Sequence, residues 1–463
     1  MTAQSWWGTP LLDRGDARAV WLRAAGHEST VGELRAQVAW LAEVFGSYGI
    51  RAGDTVALHG TVSFTQVWAL FALWSLDAQV LLFEPGAGPG ERAALLELCA
   101  PRFLVTFGES RGMTDVFVAE CEVLVRRLPR GRRARSGHAL VQFSSGTMGR
   151  SKPVGRTARS LLAELGRLRG LDGGPAAGER VAVLESVTHS FGLIGGLLHT
   201  LDVGATAVLP AARTPRAYAG AARGAHVVIG NPGHFAALTA ADTRADTRVT
   251  LPGLRLALSG GEALPREVAE AFLRRYGVRI GQVYGTTEAG VIATDLTGAH
   301  GPLSLGTPVP GVATRAVGGV LEVYLPQWPY PYEDEPPPGG WISTHDLTTF
   351  DPATGALRLR GRAEGRAEGR SSGPAELDLL AIESVLRSHA QVTEAVVLGT
   401  GPVEAHVASA AALEQAELRA WCRRFLDDAA VPDRYHVVRE LPRTSNGKIL
   451  RSRTRLLEHM AGA

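Results

Sequence analysis

Lysine is almost absent from this chain of 463 residues, since only Lys152 and Lys448 are lysines among its 48 lysines and arginines. Frequent arginine, alanine and glycine are typical of a GC-rich genome, in which arginine takes most surface positions. A lysine that remains against this bias indicates a place where a compact charge on a flexible stem is needed. Lys152 and Lys448 are therefore the first candidate functional residues.

Cysteine, net charge and long apolar runs are also scarce. Cys99, Cys121 and Cys422 form no CxxC pair, which excludes a cysteine metal site or disulfide framework and fits a reducing cytoplasm. A formal net charge of +2 gives no electrostatic reason to bind nucleic acid or a membrane surface. No apolar run approaches the roughly 18 residues of a membrane span, and the N-terminus lacks a signal-peptide pattern. We expect a cytoplasmic protein without nucleic-acid or membrane partners.

Short apolar strands alternate with amphipathic helices down to about residue 360. Apolar residues recur at helical spacing in "TVGELRAQVAWLAEVFGSYGI" and "FTQVWALFALWSLDA". Buried strands are predicted at "QVLLFEP", "RFLVTF", "RVAVLES", "TAVLP", "HVVIGN" and "LRLALSGG". This alternation predicts an α/β fold with layered, mostly parallel sheets.

The sharpest change of composition is "GRAEGRAEGRSSG" at residues 361–373, in which RAEG occurs twice in tandem. A segment rich in glycine and charge between two patterned regions is typical of a linker or hinge. We therefore predict a large N-terminal domain at residues 1–360. A small, mobile α+β domain is predicted at residues 361–463, with Lys448 near its end.

Two further segments are predicted to be irregular. The basic run "VRRLPRGRRARSG" at residues 125–137 is interpreted as a solvated linker, with contact to an anionic cofactor or partner as the alternative. The proline-rich "PQWPYPYEDEPPPGG" at residues 326–340 is interpreted as a surface loop, with a cover over a pocket as the alternative.

The stretch "FSSGTMGRSKPV" follows a strand-like run and has the composition of an anion cradle. Its glycines allow close backbone approach, its hydroxyl groups donate hydrogen bonds, and Lys152 adds a positive charge. A Walker A loop requires Gly before the lysine and Ser or Thr after it. Here Ser151 precedes Lys152 and Pro153 follows it, which disfavours a P-loop kinase or ATPase. Alone, such a loop could equally be a surface turn.

The same stretch resembles the signature loop SSGTTGxPKGV of the adenylate-forming enzymes, which include acyl-CoA and aryl-CoA synthetases and nonribosomal peptide synthetase adenylation domains. Met148, Ser151 and Pro153 depart from that pattern. Other family motifs follow in order along nearly the whole chain. They are "VTHSFGLIGGLLHTLDVGAT", "LALSGGEALP", "VYGTTEAG", "GWISTHDL", "GALRLRGR" and "LPRTSNGKILR".

This resemblance implies an ATP-dependent ligase that makes an acyl-adenylate and pyrophosphate, then passes the acyl group to a thiol of CoA or of a carrier protein. Lys448 would be the main catalytic cation, and Glu288 would bind Mg²⁺ with the hydroxyl of Thr287 near the phosphates. Asp346 would bind the ribose hydroxyls, and Arg362 would meet ribose or phosphate, with Arg366 as a rival. The resemblance places the remaining nucleotide contacts at Ser144, Ser145, Gly146, Thr147, Lys152, Gly260, Gly261, Glu262, Tyr284, Gly285 and Thr286.

The acyl pocket is implied by the same resemblance. His189 would border it in a catalytic as well as a substrate-binding role, and Phe191, Asn231 and Ser259 would complete it. The chain lacks the F-D-x-S type stretch whose aspartate holds an α-ammonium group in amino-acid-activating domains. An aryl, short-chain or fatty acid is therefore favoured over an α-amino acid.

The hinge departs most from the family pattern. It lacks the usual I-K pair, and the hinge residues would be Arg362 and Glu364. Gly373 is preceded by Ser372 rather than by a basic residue, so the acceptor stays open between CoA, a carrier-protein phosphopantetheine and an amine. A degenerate relative that binds nucleotide or acyl-adenylate with weak or no ligase activity is the alternative function.

Overall fold

The computed structural model describes residues 6–108, 116–144, 152–240, 250–333, 339–362, 378–399, 402–443 and 449–462. Its helices and strands form a large N-terminal domain with two extended sheets and a small C-terminal domain with a third sheet. The mixed α/β architecture confirms the predicted fold class.

The large domain contains nine helices among the described residues. They are α1 (Thr9–Asp13), α2 (Val31–Ser47), α3 (Phe64–Ser75), α4 (Pro89–Cys99), α5 (Ala158–Arg169), α6 (His199–Val203), α7 (Pro215–Ala222), α8 (Pro232–Ala240) and α9 (Arg266–Tyr276), with a π-helical segment (Phe191–Leu198) leading into α6. Helix α2 begins at a capping box, in which Thr30 and Glu33 each accept a hydrogen bond from the other's backbone N–H, at 3.1 and 3.4 Å. Helix α3 is buried on all sides, as its uninterrupted apolar sequence indicates.

The strands of the first sheet are β3 (Thr55–Gly60), β4 (Gln79–Leu82), β5 (Phe103–Phe107), β6 (Val123–Arg127), β7 (His138–Ser144) and β8 (Lys152–Thr157). Their order is β6-β5-β3-β4-β7-β8, with parallel pairing from β5 to β7 and an antiparallel strand at each edge. Strands β3, β4 and β5 are fully buried, which explains their continuous apolar sequences.

The second sheet has thirteen strands. They are β1 (Val20–Ala24), β2 (His27–Thr30), β9 (Arg180–Val183), β10 (Thr206–Leu209), β11 (Val227–Gly230), β12 (Leu256–Gly260), β13 (Ile280–Thr286), β14 (Gly290–Asp295), β15 (Ser304–Pro308), β16 (Thr314–Val317), β17 (Val320–Tyr324), β18 (Trp341–Phe350) and β19 (Leu357–Arg362). The order is β16-β17-β18-β19-β15-β14-β13-β12-β11-β9-β10-β1-β2. Strands β9 to β13 pair in parallel, so their carboxyl ends share one edge of the sheet.

The predicted alternation of helix and strand ends earlier than expected. In the described parts of residues 277–362 there is no helix, and strands β13 to β19 pair antiparallel where they adjoin one another. Antiparallel strands need only short turns between them, which the glycines in this region supply. The motifs around Tyr284 and Asp346 therefore lie on antiparallel strands that extend a parallel sheet.

The basic run also differs from its interpretation as a solvated linker. Its first residues complete strand β6, in which Arg126 and Arg127 pair antiparallel with β5. Further along, Arg133 lies 3.8 Å from the buried carboxylate of Asp54. The described run is therefore part of the edge of the first sheet, where charged side chains block pairing with another chain.

The small domain contains α10 (Leu379–Arg387), β20 (Glu394–Leu398), β21 (Glu404–Ala408), α11 (Gln415–Cys422), a short 3₁₀ turn (Asp428–Ala430), β22 (Arg434–Val438) and α12 (Arg453–Gly462). Helices α10 and α11 pack on one face of this sheet, and Leu456 of α12 packs on the other face. Within the described ranges, no helix has the length and apolar composition needed to cross a membrane.

Candidate nucleotide and acyl site

The predicted phosphate loop connects two antiparallel strands. Ser144 ends β7 and pairs with Lys152, the first residue of β8. The connecting residues 145–151, with Ser145, Gly146 and Thr147, lie outside the described part of the chain. The strand pair fixes the backbone of Lys152 at the head of the loop, where a phosphate-binding lysine is expected.

The side chain of Lys152 contacts the proline-rich segment. Its Nζ lies 3.0 Å from Glu333 Oε1 and 3.3 Å from the centroid of the Tyr330 ring, a cation–π distance. The described part of that segment is thus packed against the phosphate strands and is not the plain surface loop that the sequence suggested. The alternative interpretation, a cover over a site, agrees better with these contacts.

The YGTTE motif forms the end of β13 and the turn into β14. Tyr284, Gly285 and Thr286 complete the strand, while Thr287 and Glu288 form the turn and are half-buried. A Cβ atom on Gly285 would lie 2.3 Å from the carbonyl oxygen of Gly290, so only glycine fits there. The hydroxyl of Tyr330 donates a hydrogen bond of 3.2 Å to Glu288.

A buried ion pair packs next to the turn between β13 and β14. Arg156 of β8 and Glu164 of α5 lie 2.7 Å apart, and both side chains are 3% exposed. Glu164 also accepts a hydrogen bond of 3.0 Å from the backbone N–H of Val291. A charge in the core needs such partners, and here they tie β8 to β14. The sequence analysis did not identify either residue, because an Arg and a Glu eight positions apart are an ordinary pattern.

Tyr284, Asp346 and Arg362 come together as the resemblance implied. Tyr284 Oη donates to Asp346 Oδ2 at 2.6 Å, and Arg362 donates to Asp346 Oδ1 at 3.0 Å. Asp346 is buried, which raises its pKa, while Arg362 and the hydrogen bond from Tyr284 act in the opposite direction. Burial and the nearby Asp346 carboxylate raise the pKa of Tyr284. The cluster offers a carboxylate acceptor and a guanidinium donor beside an aromatic ring.

The GGE turn lies at the carboxyl end of β12. Gly261 has a φ of +85°, which favours glycine, and Glu262 is half-buried. A Cβ atom on Gly260 would lie 2.8 Å from the ring of Phe191 and 2.9 Å from the carbonyl oxygen of Val283. Phe191 therefore packs directly on Gly260, which brings the predicted adenine edge and acyl pocket into contact.

The segment with His189 is held by residues of the first sheet. Its Nε2 lies 3.1 Å from Glu84 Oε1, and Glu84 Oε2 lies 3.8 Å from Arg213. Thr188 donates a hydrogen bond to Glu84. Gln142 of β7 donates a hydrogen bond of 2.6 Å to the carbonyl oxygen of Thr188 and thereby fixes the backbone next to His189. Glu84 and Gln142 were not predicted, although Glu84 lies two residues after β4, and polar residues at the carboxyl ends of parallel strands are a recognisable signal.

Asn231 and Ser259 differ in how well they fit the predicted pocket. The Asn231 side chain donates a hydrogen bond of 3.0 Å to Glu185 and accepts one of 3.2 Å from the backbone N–H of His234. Both ends of its amide thus have protein partners, so the structure does not direct it to a substrate. Ser259 is 2% exposed, and its hydroxyl has no hydrogen-bond partner among the described residues.

A pocket lies at the carboxyl ends of β9 and β10. Its polar lining comes from Glu185, Ser186, Arg213, Tyr218 and His234. Burial lowers the pKa of His234, so the ring is neutral near pH 7. Through Arg213 and Glu84 this pocket is connected to His189.

The small domain approaches the nucleotide cluster through Arg451. Lys448 and Glu364 lie outside the described residues, but Arg451 in the same motif as Lys448 is described. It makes two hydrogen bonds to the buried Glu383 of α10, at 2.6 and 2.9 Å. Burial alone would lower the pKa of Arg451, but attraction to Glu383, and to Glu262 and Asp346, raises it. This end of the small domain is therefore electrostatically coupled to the site.

Comparison with known families agrees with this arrangement. The sequence pattern of the family described as AMP-binding enzyme matches residues 12–327, and that of the AMP-binding enzyme C-terminal domain matches residues 381–448. A malonate–CoA ligase of Mus musculus is 27% identical in an alignment that covers 68% of this chain and 64% of that protein. A feruloyl-CoA synthase of an Amycolatopsis species is 26% identical in an alignment that covers 96% of each chain.

Among solved structures, the ATP-bound MatB of Rhodopseudomonas palustris has a TM-score of 0.81 at 19% identity, with 97% of each chain covered. This likeness shows the fold. The chain spans 41 to 65% of the length of the malonate and long-chain-fatty-acid CoA ligases that it matches.

Proposed function

Because this chain belongs to the AMP-binding enzymes of the adenylate-forming superfamily, we propose that it activates a carboxylic acid with ATP and transfers the acyl group to the thiol of CoA. The observation that carries the proposal is the grouping of Tyr284, Asp346 and Arg362 around one buried carboxylate. The named relatives, which are CoA ligases, support the same reaction type.

In the first step, a carboxylate oxygen of the acid attacks the α-phosphorus of ATP. The bond from that phosphorus to its bridging oxygen breaks, and pyrophosphate leaves with the electron pair. Asp346 would accept hydrogen bonds from the ribose hydroxyls, and Arg362 would meet ribose or α-phosphate. Lys152 would contact the outer phosphates, where negative charge builds up in the transition state.

The residues present fit Mg²⁺ bound together with ATP. Glu288 offers a half-buried carboxylate in a turn whose geometry Gly285 and Glu164 fix, and Thr287 adds a hydroxyl oxygen. Magnesium in nucleotide enzymes is held by one or two carboxylates together with phosphate oxygens. When bound, it neutralises phosphate charge during the displacement. Glu288 is therefore our assignment for the metal ligand.

Lys448 is our assignment for the cation that bridges carboxylate and α-phosphate. Its segment is anchored by the Arg451–Glu383 pair, and Arg451 is coupled electrostatically to Glu262 and Asp346. The attraction of Arg451 to Glu262 and Asp346 supports an approach of this motif to the nucleotide. In the second step, the thiol sulfur attacks the acyl carbonyl carbon, and AMP leaves as the acyl–phosphate bond breaks.

The acid would lie between His189 and Phe191, next to the Ser259 hydroxyl. We propose an aryl, short-chain or fatty acid, since no carboxylate in an F-D-x-S type stretch is present to hold an α-ammonium group. Malonate and ferulate belong in the test set because malonate–CoA ligase and feruloyl-CoA synthase are relatives of this chain.

The test is acid-dependent exchange of labelled pyrophosphate into ATP, screened over aryl, short-chain, dicarboxylic, fatty and amino acids. We expect one class of acid to support exchange. Lys448→Ala should reduce the exchange rate by at least about 100-fold, because it removes a charge aimed at the transition state. Arg455→Ala is the matched control, since it removes an exposed basic residue of the same domain and should leave exchange unchanged.

The acceptor is then identified with CoA, a phosphopantetheinylated carrier protein and simple amines in parallel. Thioester formation with CoA is the expected result. Binding of MgATP without exchange for any acid would contradict the ligase and favour a degenerate nucleotide-binding relative.

A further inference from the structure

Residues 326–333, here called the aromatic strap, are fixed to the two phosphate strands by backbone contacts. His138 of β7 donates a hydrogen bond of 2.9 Å to the carbonyl oxygen of Trp328. The backbone N–H of Gly155 in β8 donates a hydrogen bond of 2.6 Å to the carbonyl oxygen of Pro329. These contacts do not depend on the side chain at position 330. The strap therefore has a defined position against the phosphate strands.

Tyr330 of the strap contacts both groups assigned to the phosphates and the metal. The centroid of its ring lies 3.3 Å from Lys152 Nζ, and its hydroxyl donates a hydrogen bond of 3.2 Å to Glu288. The ring of Trp328 meets Tyr330 edge to face, with centroids 4.9 Å apart, and restricts its rotation. A lysine on β8 and a glutamate in the turn after β13 are thus linked through one phenol.

Opposite charges this close would otherwise pair with each other. The Lys152 side chain is long and flexible, and a direct contact with Glu288 would use both groups before the nucleotide arrives. The phenol contacts Lys152 through its ring face and Glu288 through its hydroxyl, and so offers each a weaker, matching contact. On its other side Lys152 meets Glu333, whose side chain is 47% exposed and can move away.

We propose that Tyr330 is a positioning residue for magnesium-bound ATP: it orients Glu288, keeps Lys152 from pairing with it, and leaves Glu333 to hold the place of a phosphate. This inference rests on the proposed function, because it takes Lys152 and Glu288 as the phosphate and metal groups. When the triphosphate binds, its oxygens replace the carboxylate of Glu333 at Lys152.

The experiment measures binding of a non-hydrolysable ATP analogue by calorimetry across a magnesium titration, which requires no adenylation. Tyr330→Phe keeps the ring and removes the hydrogen bond to Glu288. We expect its half-saturating magnesium concentration to rise about tenfold, as for other lost hydrogen bonds to metal-binding carboxylates. Binding of the analogue in EDTA should stay within about twofold, because Lys152 keeps its ring contact.

Tyr332→Phe is the matched control in the same strap. Its ring packs on the core cluster around Leu81 and Phe83, so loss of its hydroxyl should not change magnesium dependence. Glu333→Gln tests the other half of the proposal. Removal of the competing carboxylate should lower the Kd of the magnesium-bound analogue about two- to fivefold, as expected for a solvent-exposed ion pair.

A Tyr330→Phe protein with unchanged magnesium dependence overturns the proposal, and so does an equal shift in Tyr332→Phe. Wild-type protein that fails to bind the magnesium-bound analogue overturns both the strap proposal and the proposed function. Wild-type protein that binds it, but supports no acid-dependent exchange, overturns the proposed activity alone.

Discussion

His345 adopts a backbone conformation that favours glycine. Its φ is +59°, and the side chain is exposed. A left-handed conformation costs a non-glycine residue about 1–2 kcal/mol. His345 directly precedes Asp346 in β18. The strain therefore lies one residue from the proposed ribose ligand.

Replacement of His345 by glycine should stabilise the protein. The relief of strain exceeds the entropy that glycine adds to the unfolded chain, so we expect the free energy of unfolding to rise by about 0.5–1 kcal/mol. Urea denaturation measures it. The control is Thr349→Gly, at an exposed position of the same strand without positive φ, which should destabilise by about 1 kcal/mol. Equal effects of both changes would refute the strain argument.

Contiguous motifs led to three residues that contact one another, and their role in nucleotide binding stays a prediction. Tyr284, Asp346 and Arg362 each lie in a recognisable stretch, and the structure brings all three together. The contacts of His189 with Glu84, and of Lys152 with Tyr330, join residues far apart in the sequence. Single residues of those types occur everywhere on protein surfaces. Only the packing of strands next to each other makes such pairs visible.

Glu383 of helix α10 is a buried acidic side chain that connects several parts of the small domain. The Glu383 side chain is 1% exposed, and both of its oxygens accept hydrogen bonds from Arg451. It also accepts a hydrogen bond of 3.0 Å from the backbone N–H of Val397 in β20. Helix, strand and the C-terminal segment are thus joined at one carboxylate. Burial raises the pKa of Glu383, but the attraction and hydrogen bonds of Arg451 outweigh it, so the pKa is lowered.

Glu383→Gln should destabilise the small domain by about 2 kcal/mol, because the half-buried guanidinium of Arg451 loses its charged hydrogen-bond partner. Hydrogen–deuterium exchange of peptides from α10 and β20 measures this locally. Glu458→Gln on α12, where the carboxylate is 57% exposed, is the control and should change protection by less than about 1 kcal/mol.

The same pair predicts the dependence on pH. Since the folded-state pKa of Glu383 lies below its ordinary value of 4.5, its stabilisation is complete above that pH and is lost as pH falls through the folded-state value. Protection of α10 should therefore decrease in acid for wild type. In Glu383→Gln this decrease should be smaller, and an identical acid profile in both proteins would contradict the assignment.

For the whole molecule, the described residues on either side of the glycine- and charge-rich stretch are paired. Arg360 of β19 pairs with Asp378, the N-cap of α10, at 3.2 Å. The large and small domains therefore meet at this junction, whatever the length of chain between them. The composition of residues 361–373 predicted a linker but gave no sign of this contact, because it depends on a residue after the stretch.

Deletion of residues 363–366 removes one RAEG repeat and keeps Arg362. Because Arg360 and Asp378, on either side of the stretch, are paired, shortening the chain between them changes the loop-closure entropy by less than about 0.5 kcal/mol. We expect unchanged thermal unfolding and unchanged binding of magnesium-bound ATP. A loss of nucleotide binding would show that the length of this stretch matters for the site. A large loss of stability would show that the length of the stretch is itself constrained.

The shortage of lysine has a chemical consequence for an enzyme of the proposed kind. An acyl-adenylate is a mixed anhydride, and whatever escapes the site acylates nearby amines. The guanidinium groups that cover this protein do not react with it, and its side chains offer only two amines. One of them, Lys152, is in contact with Tyr330 and Glu333, which cover part of its side chain. A protein of this composition is largely protected from modification by its own product.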